Sequence, residues 1–170
     1  RWHSVTGVQT CALPIYPSVS DRVFRLFISD YTQMVLGPHL MTLAARQRCS
    51  ARLDFLAQVA NPQRDLERGE ADLLVIPQGL TSAEHPEEPL YEDRFVCVVW
   101  RDARIAQGEL SFERYVDAGH VVMVPAATAF DSFEADFVRR YGVSRRVVAS
   151  TYAFAAMPSL IIGTEHVATV

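Results

Sequence analysis

Between Leu66 and Pro77 the chain passes from a helix-like stretch, through Gly69, into four consecutive apolar residues, Leu73 to Ile76. Gly69 suits the left-handed turn that closes a helix. A strand without polar alternation is one buried on both faces, which points to a parallel sheet with helices on each side. Pro77-Gln78-Gly79 then stops the strand. In open α/β sheets, ligands bind beyond such carboxyl ends.

The same alternation of short apolar runs and helix-spaced stretches fills the chain from Asp21 onward. Val23 to Ile28 predicts a strand. Ser29 or Asp30 then caps a helix whose apolar positions include Met34, Val35, Leu40, Met41 and Leu43, with Pro38 bending it or sitting near its start. Arg52 to Val59 is a second strand. Asn61 caps a short helix with Pro62 at its first position. Thr81 to Pro89 is a polar loop, and Leu90 to Trp100 a further strand. A crossover into a second lobe is expected at Arg101 to Arg104. Ser111 caps a helix that runs to Ala118, and His120 to Val124 is a strand. A helix starting at Asp131 turns Phe133, Phe137 and Val138 inward and ends at Gly142. Arg145 to Ser150 is a strand, Ala155 to Ile162 a helix closed by Gly163, and the last strand starts at His166. The order is β-α-β-α-β-β, a crossing, then α-β-α-β-α-β: an α/β chain of two lobes, 19–100 and 101–170.

Composition narrows the chemistry. With 170 residues, 49% of them hydrophobic, the chain can bury a core for one large or two small domains. A net charge of −4 gives no global basic field for nucleic acid. All 16 basic residues are Arg, which excludes a Schiff-base lysine and a P-loop lysine. Cys11, Cys49 and Cys97 are far apart and form no CxxC, which fits a reducing compartment; Cys97 reads as a small core residue. No apolar run reaches the length of a membrane span, and no signal peptide is recognisable.

Both ends depart from this pattern. Val5 to Ile15 resembles translated sequencing-adapter read-through, so residues 1–18 are set apart from the fold. His166 to Val170 stops in mid-strand, the expectation for a fragment truncated at its C-terminus. Such a fragment leaves a sheet edge unpaired and is expected to be poorly stable alone.

No GxSxG, HExxH or GxGxxG occurs, so no catalytic residue is assigned and no cofactor is implied. His39, His85, His120 and His166 are scattered at spacings that do not suit metal ligation. His120 and His166 read as capping or solvated residues before strands. Arg139-Arg140 and Arg145-Arg146 read as solvated charges. What remains is positional: the loops at the strand carboxyl ends converge on a cleft between the lobes. They supply hydroxyl, carboxylate and amide groups at Ser29, Asp30, Asn61, Gln78 and Thr128, and rings at Tyr31, Phe130, Tyr152 and Phe154.

These blocks resemble the effector-binding region of the LysR-type transcriptional regulators, closest to the nodulation-protein-D-like branch. The resemblance is carried by Phe27 to Tyr31 leading to Val35-Leu36-Gly37-Pro38, by Leu66 to Asp72, and by Thr81 to Pro86. It continues through Glu88 to Asp93, Val96-Cys97-Val98, Gly119-His120-Val121, Arg140-Tyr141-Gly142 and Leu160 to Val170, spanning residues 19 to 170. It implies a periplasmic-binding-protein-like (type 2) pair of lobes that senses a small inducer, aromatic or phenolic and of the flavonoid class. It also implies a cytoplasmic homodimer or homotetramer that binds promoter DNA through an N-terminal helix-turn-helix, missing here, and recruits RNA polymerase. Two other readings use the same scaffold: a solute-binding protein of a transport system, which needs a secretion signal, and an enzyme, which needs a nucleophile or acid/base pair in the cleft.

Overall fold

The fold is that of a computed structural model, which describes residues 17–80, 85–125 and 132–170. The chain builds two sheets. In the first, β1 (Val23–Ile28) is central, with β2 (Arg52–Ala57) on one side and β3 (Leu73–Leu74) on the other, all parallel. Between them run α1 (Asp30–Arg46) and α2 (Pro62–Glu67), the crossovers that parallel pairing requires. Leu26, Phe27 and Ile28 of β1 are buried and form the middle of this layer.

The second sheet has the order β4-β7-β5-β6. Here β5 (Gly119–Met123) pairs in parallel with β6 (Arg146–Thr151) and with β7 (Val167–Thr169), while β4 (Cys97–Val99) lies antiparallel to β7. Helices α3 (Phe112–Asp117), α4 (Phe133–Arg140) and α5 (Met157–Leu160) connect these strands. Val121, Met157, Ile161 and Ala168 form its buried cluster, flanked by Val98, Met123, Ala149 and Phe154.

The caps explain where helices begin. Ser29 and Ser132 hold extended backbone and accept the amides of Thr32 and Ala135 through their hydroxyls, at 3.0 and 3.1 Å, so two otherwise orphaned donors are satisfied. Ser111 does the same for Arg114 in α3. Asn61 stands at the cap position of α2 with Pro62 behind it, but its side chain makes no capping hydrogen bond. Gly69 takes φ +73 after α2, the left-handed conformation expected of it.

Several expectations change. The strand expected over 90–100 shrinks to β4 and belongs to the second sheet, where Val96 and Val170 also exchange backbone hydrogen bonds. The chain therefore crosses between sheets before Cys97, not after Trp100. Apolar composition alone does not tell a strand which neighbour it will find. β3 is only two residues long and Leu73 is 53% exposed, so this strand is not covered on both faces. Pro38 lies inside α1, which nonetheless continues to Arg46. Met34, Met41 and Leu43 point outward from α1, and Phe137 from α4, each more than half exposed. Cys97 sits on the exposed sheet edge rather than in the core. The expected helix over 155–162 is a 3-10 turn, Phe154–Ala156, followed by α5. Asp131, the expected start of α4, and the Phe133 side chain lie outside what is described.

Candidate functional site

The carboxyl end of β1 delivers Ser29, Asp30 and Tyr31 at the first turn of α1, and the carboxyl end of β6 delivers Tyr152, Phe154 and Ala155. These two ends meet. The Asp30 carboxylate accepts the Ala155 amide at 2.8 Å, across 125 positions of sequence. The Tyr31 and Phe154 rings lie 6.2 Å apart, tilted by 60°, a separation at which aromatic pairs attract. The start of α1 is thus the point at which the first sheet touches the loop that leaves the second.

The segment crossing between the sheets is fastened to the same turn. The Tyr31 hydroxyl donates to the Asp93 carboxylate, and Thr32 Oγ1 lies 3.3 Å from the Tyr91 hydroxyl. The hydrogen bond to Asp93, followed by burial, pushes the Tyr31 phenol up to about 12. Asp93 is held below the usual carboxylate range, first by Tyr31 and then by the Arg94 amide. The Ser29 hydroxyl is engaged locally, donating to Thr32 Oγ1 at 3.0 Å while it caps the helix.

The other expected site residues are more open. Asn61 follows β2 and Gln78 lies in the turn after β3; both are exposed. Nearby, Gln58 Nε2 donates to the Val75 carbonyl at 3.0 Å, which ties the ends of β2 and β3 together. Tyr152 is 75% exposed. Thr128 and Phe130 lie outside the described residues. The structure therefore brings Asp30, Tyr31 and Phe154 together, leaves Asn61, Gln78 and Tyr152 open to solvent, and adds Tyr91 and Asp93. Both lie in the Glu88 to Asp93 block that carries the family resemblance, but only the crossing segment's position brings them to the site.

An open concavity of about 320 Å³ lies at the opposite end of the second sheet, lined by Arg104, Ile105, Arg114, Asp117, Ala118 and Glu165. Its polar groups serve the fold. Arg114 donates to the carbonyls of Arg104, Ile105 and Gln107, and Glu165 accepts the amides of Arg104 and Ile105. These groups are engaged with one another and with the backbone around them.

Polar groups expected at the surface turn out to be buried in the second lobe. Arg145 and Glu134 form a two-bonded ion pair with each side chain only 8% exposed, and Arg145 also donates to the Tyr115 hydroxyl at 3.2 Å. His120 is 1% exposed; its Nε2 donates to the Tyr115 carbonyl at 2.7 Å, and burial lowers its pKa. Arg145 is thus not the solvated charge, nor His120 the capping or solvated residue, that the sequence suggests, since neither local pattern nor charge reveals a partner that arrives from another element. Among the described residues no group of three or more His, Cys, Asp or Glu is placed to hold a metal, and no helix is long and apolar enough to cross a membrane.

The LysR substrate binding domain matches residues 19–170. The chain belongs to this LysR family. Nodulation protein D 1 of Rhizobium leguminosarum bv. phaseoli is 34% identical over 156 residues, which cover 92% of this chain and 50% of that protein. Nodulation protein D 3 of Mesorhizobium japonicum is 30% identical over 156 residues, 92% of this chain and 52% of its own. The chain thus spans about half the length of the curated relatives it matches. A probable transcriptional regulator from Pseudomonas aeruginosa superposes with a TM-score of 0.79 at 24% identity, over 92% of this chain and 54% of that one. The α/β architecture is accordingly that of the LysR effector-binding domains, which are periplasmic-binding-protein-like. The expectation drawn from the residue blocks, family and fold together, holds.

Proposed function

We propose that this LysR-family domain senses a small molecule in the cleft between its two sheets and is the effector-binding part of a DNA-binding transcriptional regulator. The observation that carries this reading is the meeting of Asp30 and Tyr31 with Phe154 and Ala155. Two sheets that touch mainly through one helix start and one loop form a closure, and a ligand bound between them can shift that closure. Ser29, Asp30, Tyr31, Asn61, Gln78, Thr128, Phe130, Tyr152 and Phe154 are the proposed lining.

The inducer is a planar aromatic or phenolic molecule, flavonoid-like. Ring-bearing residues among the proposed lining support this, as does the resemblance to the nodulation-protein-D-like branch. The domain binds and releases its ligand without chemistry. The whole regulator acts in the cytoplasm as a homodimer or homotetramer, with promoter DNA held through a separate N-terminal domain and RNA polymerase as its partner in activation.

Titration with a flavanone such as naringenin, followed by tyrosine and tryptophan fluorescence, tests this. Saturable binding is expected, with the flavanone recovered unchanged and Phe154→Ala weakening it roughly tenfold by removing a ring from the wall. Binding unaffected by Phe154→Ala and by Tyr31→Ala would place the ligand elsewhere, and conversion of the flavanone would make the domain an enzyme.

A further inference from the structure

At the carboxyl ends of β1, β2, β3, β5 and β6 the described residues contain no Arg or His, although the chain carries 16 Arg. They are residues 28–31, 57–61, 75–80, 123–125 and 151–155, and their one carboxylate is Asp30, with Asp93 of the crossing segment bonded to the neighbouring Tyr31. Arginines gather instead around the amino ends of the strands. Arg25 donates to the Gly69 carbonyl, Arg22 pairs with Asp72, and Arg145 is locked onto Glu134. Arg64, within α2, follows Asn61 by three positions, and Arg94 stands beside Asp93; both are exposed.

From this segregation we infer that Asp30 is a specificity-determining residue that selects ligands by charge. This rests on the reading of the cleft as the ligand site. The Asp30 carboxylate is half-buried and holds the Ala155 amide at the contact between the sheets, so a ligand that enters there meets a fixed negative charge. A neutral molecule with hydroxyl or amide donors can hydrogen-bond to that carboxylate. A carboxylate of similar shape is repelled by it and finds no guanidinium among the described cleft residues to offset the repulsion. The cleft therefore takes uncharged hydroxylated ligands and excludes organic acids.

The test uses two matched pairs of probes on the chain and on Asp30→Asn, which retains an oxygen to accept the Ala155 amide while removing the charge. The pairs are p-coumaramide with p-coumarate, and 3-hydroxybutyramide with 3-hydroxybutyrate, each titrated calorimetrically at low and high salt. The wild-type chain is expected to bind an amide about tenfold or more tightly than its acid, a preference that shrinks with salt. In Asp30→Asn the acid gains and the ratio falls toward one. Equal binding of amide and acid by the wild-type chain, a preference that survives Asp30→Asn, or binding of none of the four overturns the inference. Charge-selective binding of the aliphatic pair alone sinks the aromatic reading and leaves the role of Asp30 standing; aromatic binding without charge preference does the reverse. Thermal unfolding of Asp30→Asn within a few degrees of wild type shows that the variant is folded.

Discussion

Tyr31 ties three segments together. Its backbone lies in the first turn of α1, its ring approaches Phe154, and its hydroxyl is bonded to Asp93 in the crossing segment. The hydrogen bond to Asp93, with burial behind it, raises its phenol from 10.0 to about 12. A group whose folded pKa is raised stabilises the fold fully below its unfolded pKa, near 10, and loses that contribution as the pH climbs through about 12. Ultraviolet titration of phenolate absorbance is expected to contain a component at about 12 that Tyr31→Phe deletes. Loss of a component near 10.0 in that variant, in place of one at about 12, would show that the contact with Asp93 is not formed. Glu134 and Arg145 make the second case at this scale. Each is nearly withdrawn from water, so removal of one charge strands the other. Glu134→Gln is expected to cost about 3 kcal/mol in urea unfolding, and a loss below about 0.5 kcal/mol would mark the pair as solvent-screened.

At the scale of elements, local chemistry fixes beginnings and ends better than partners. Ser29, Ser111 and Ser132 all cap helices, and the left-handed Gly69, Gly142 and Gly163 follow α2, α4 and α5. Two of the three caps, Ser29 and Ser111, and all three glycines were legible, because a cap is decided within about four residues of sequence. Strand pairing is not decided that way. β4 hydrogen-bonds to β7, some seventy positions on, and joins the second sheet despite lying closer in sequence to β3. The turn into β5 gives a prediction of its own. A Cβ at Gly119 would come within 2.7 Å of His166 Nδ1, 2.8 Å of Val148 Cγ1 and 3.1 Å of an Arg146 guanidinium nitrogen. The positions of three neighbours, two of them on β6, depend on this residue having no side chain. Gly119→Ala is expected to lower stability by about 1–3 kcal/mol, the usual cost of overpacking. A thermal midpoint equal to that of wild type would mean that the neighbours can withdraw freely.

For the whole molecule, the two sheets should not resist unfolding equally. Among the described residues, the first buries Leu26, Phe27, Ile28, Pro62 and Ala71, with one neighbour strand only two residues long. The second buries Val121, Val122, Met157, Ile161, Val167 and Ala168 and adds the Glu134–Arg145 pair. Regions with fewer buried contacts open at lower free energy. Hydrogen exchange is therefore expected to be faster at the β1 amides of residues 26–28 than at the β5 amides of residues 120–122. Equal protection across both would indicate a single cooperative unit, joined more strongly through Asp30 and Phe154 than their few contacts suggest.

The sequence by itself determined the class of fold, the family, and the position of most helix starts and stops, because these depend on apolar spacing and on residues a few positions apart. It also placed Ser29, Asp30, Tyr31, Tyr152 and Phe154 at strand ends. Only the tertiary structure decided that Asp30 and Ala155 touch, that Tyr31 is bonded to Asp93, that β4 belongs with β7, and that His120 and Arg145 are buried. Each of these is a contact between distant segments. Whether a charge is solvated or paired, and whether an apolar face is covered, depends on what arrives from elsewhere in the chain, and no local pattern of residues records that.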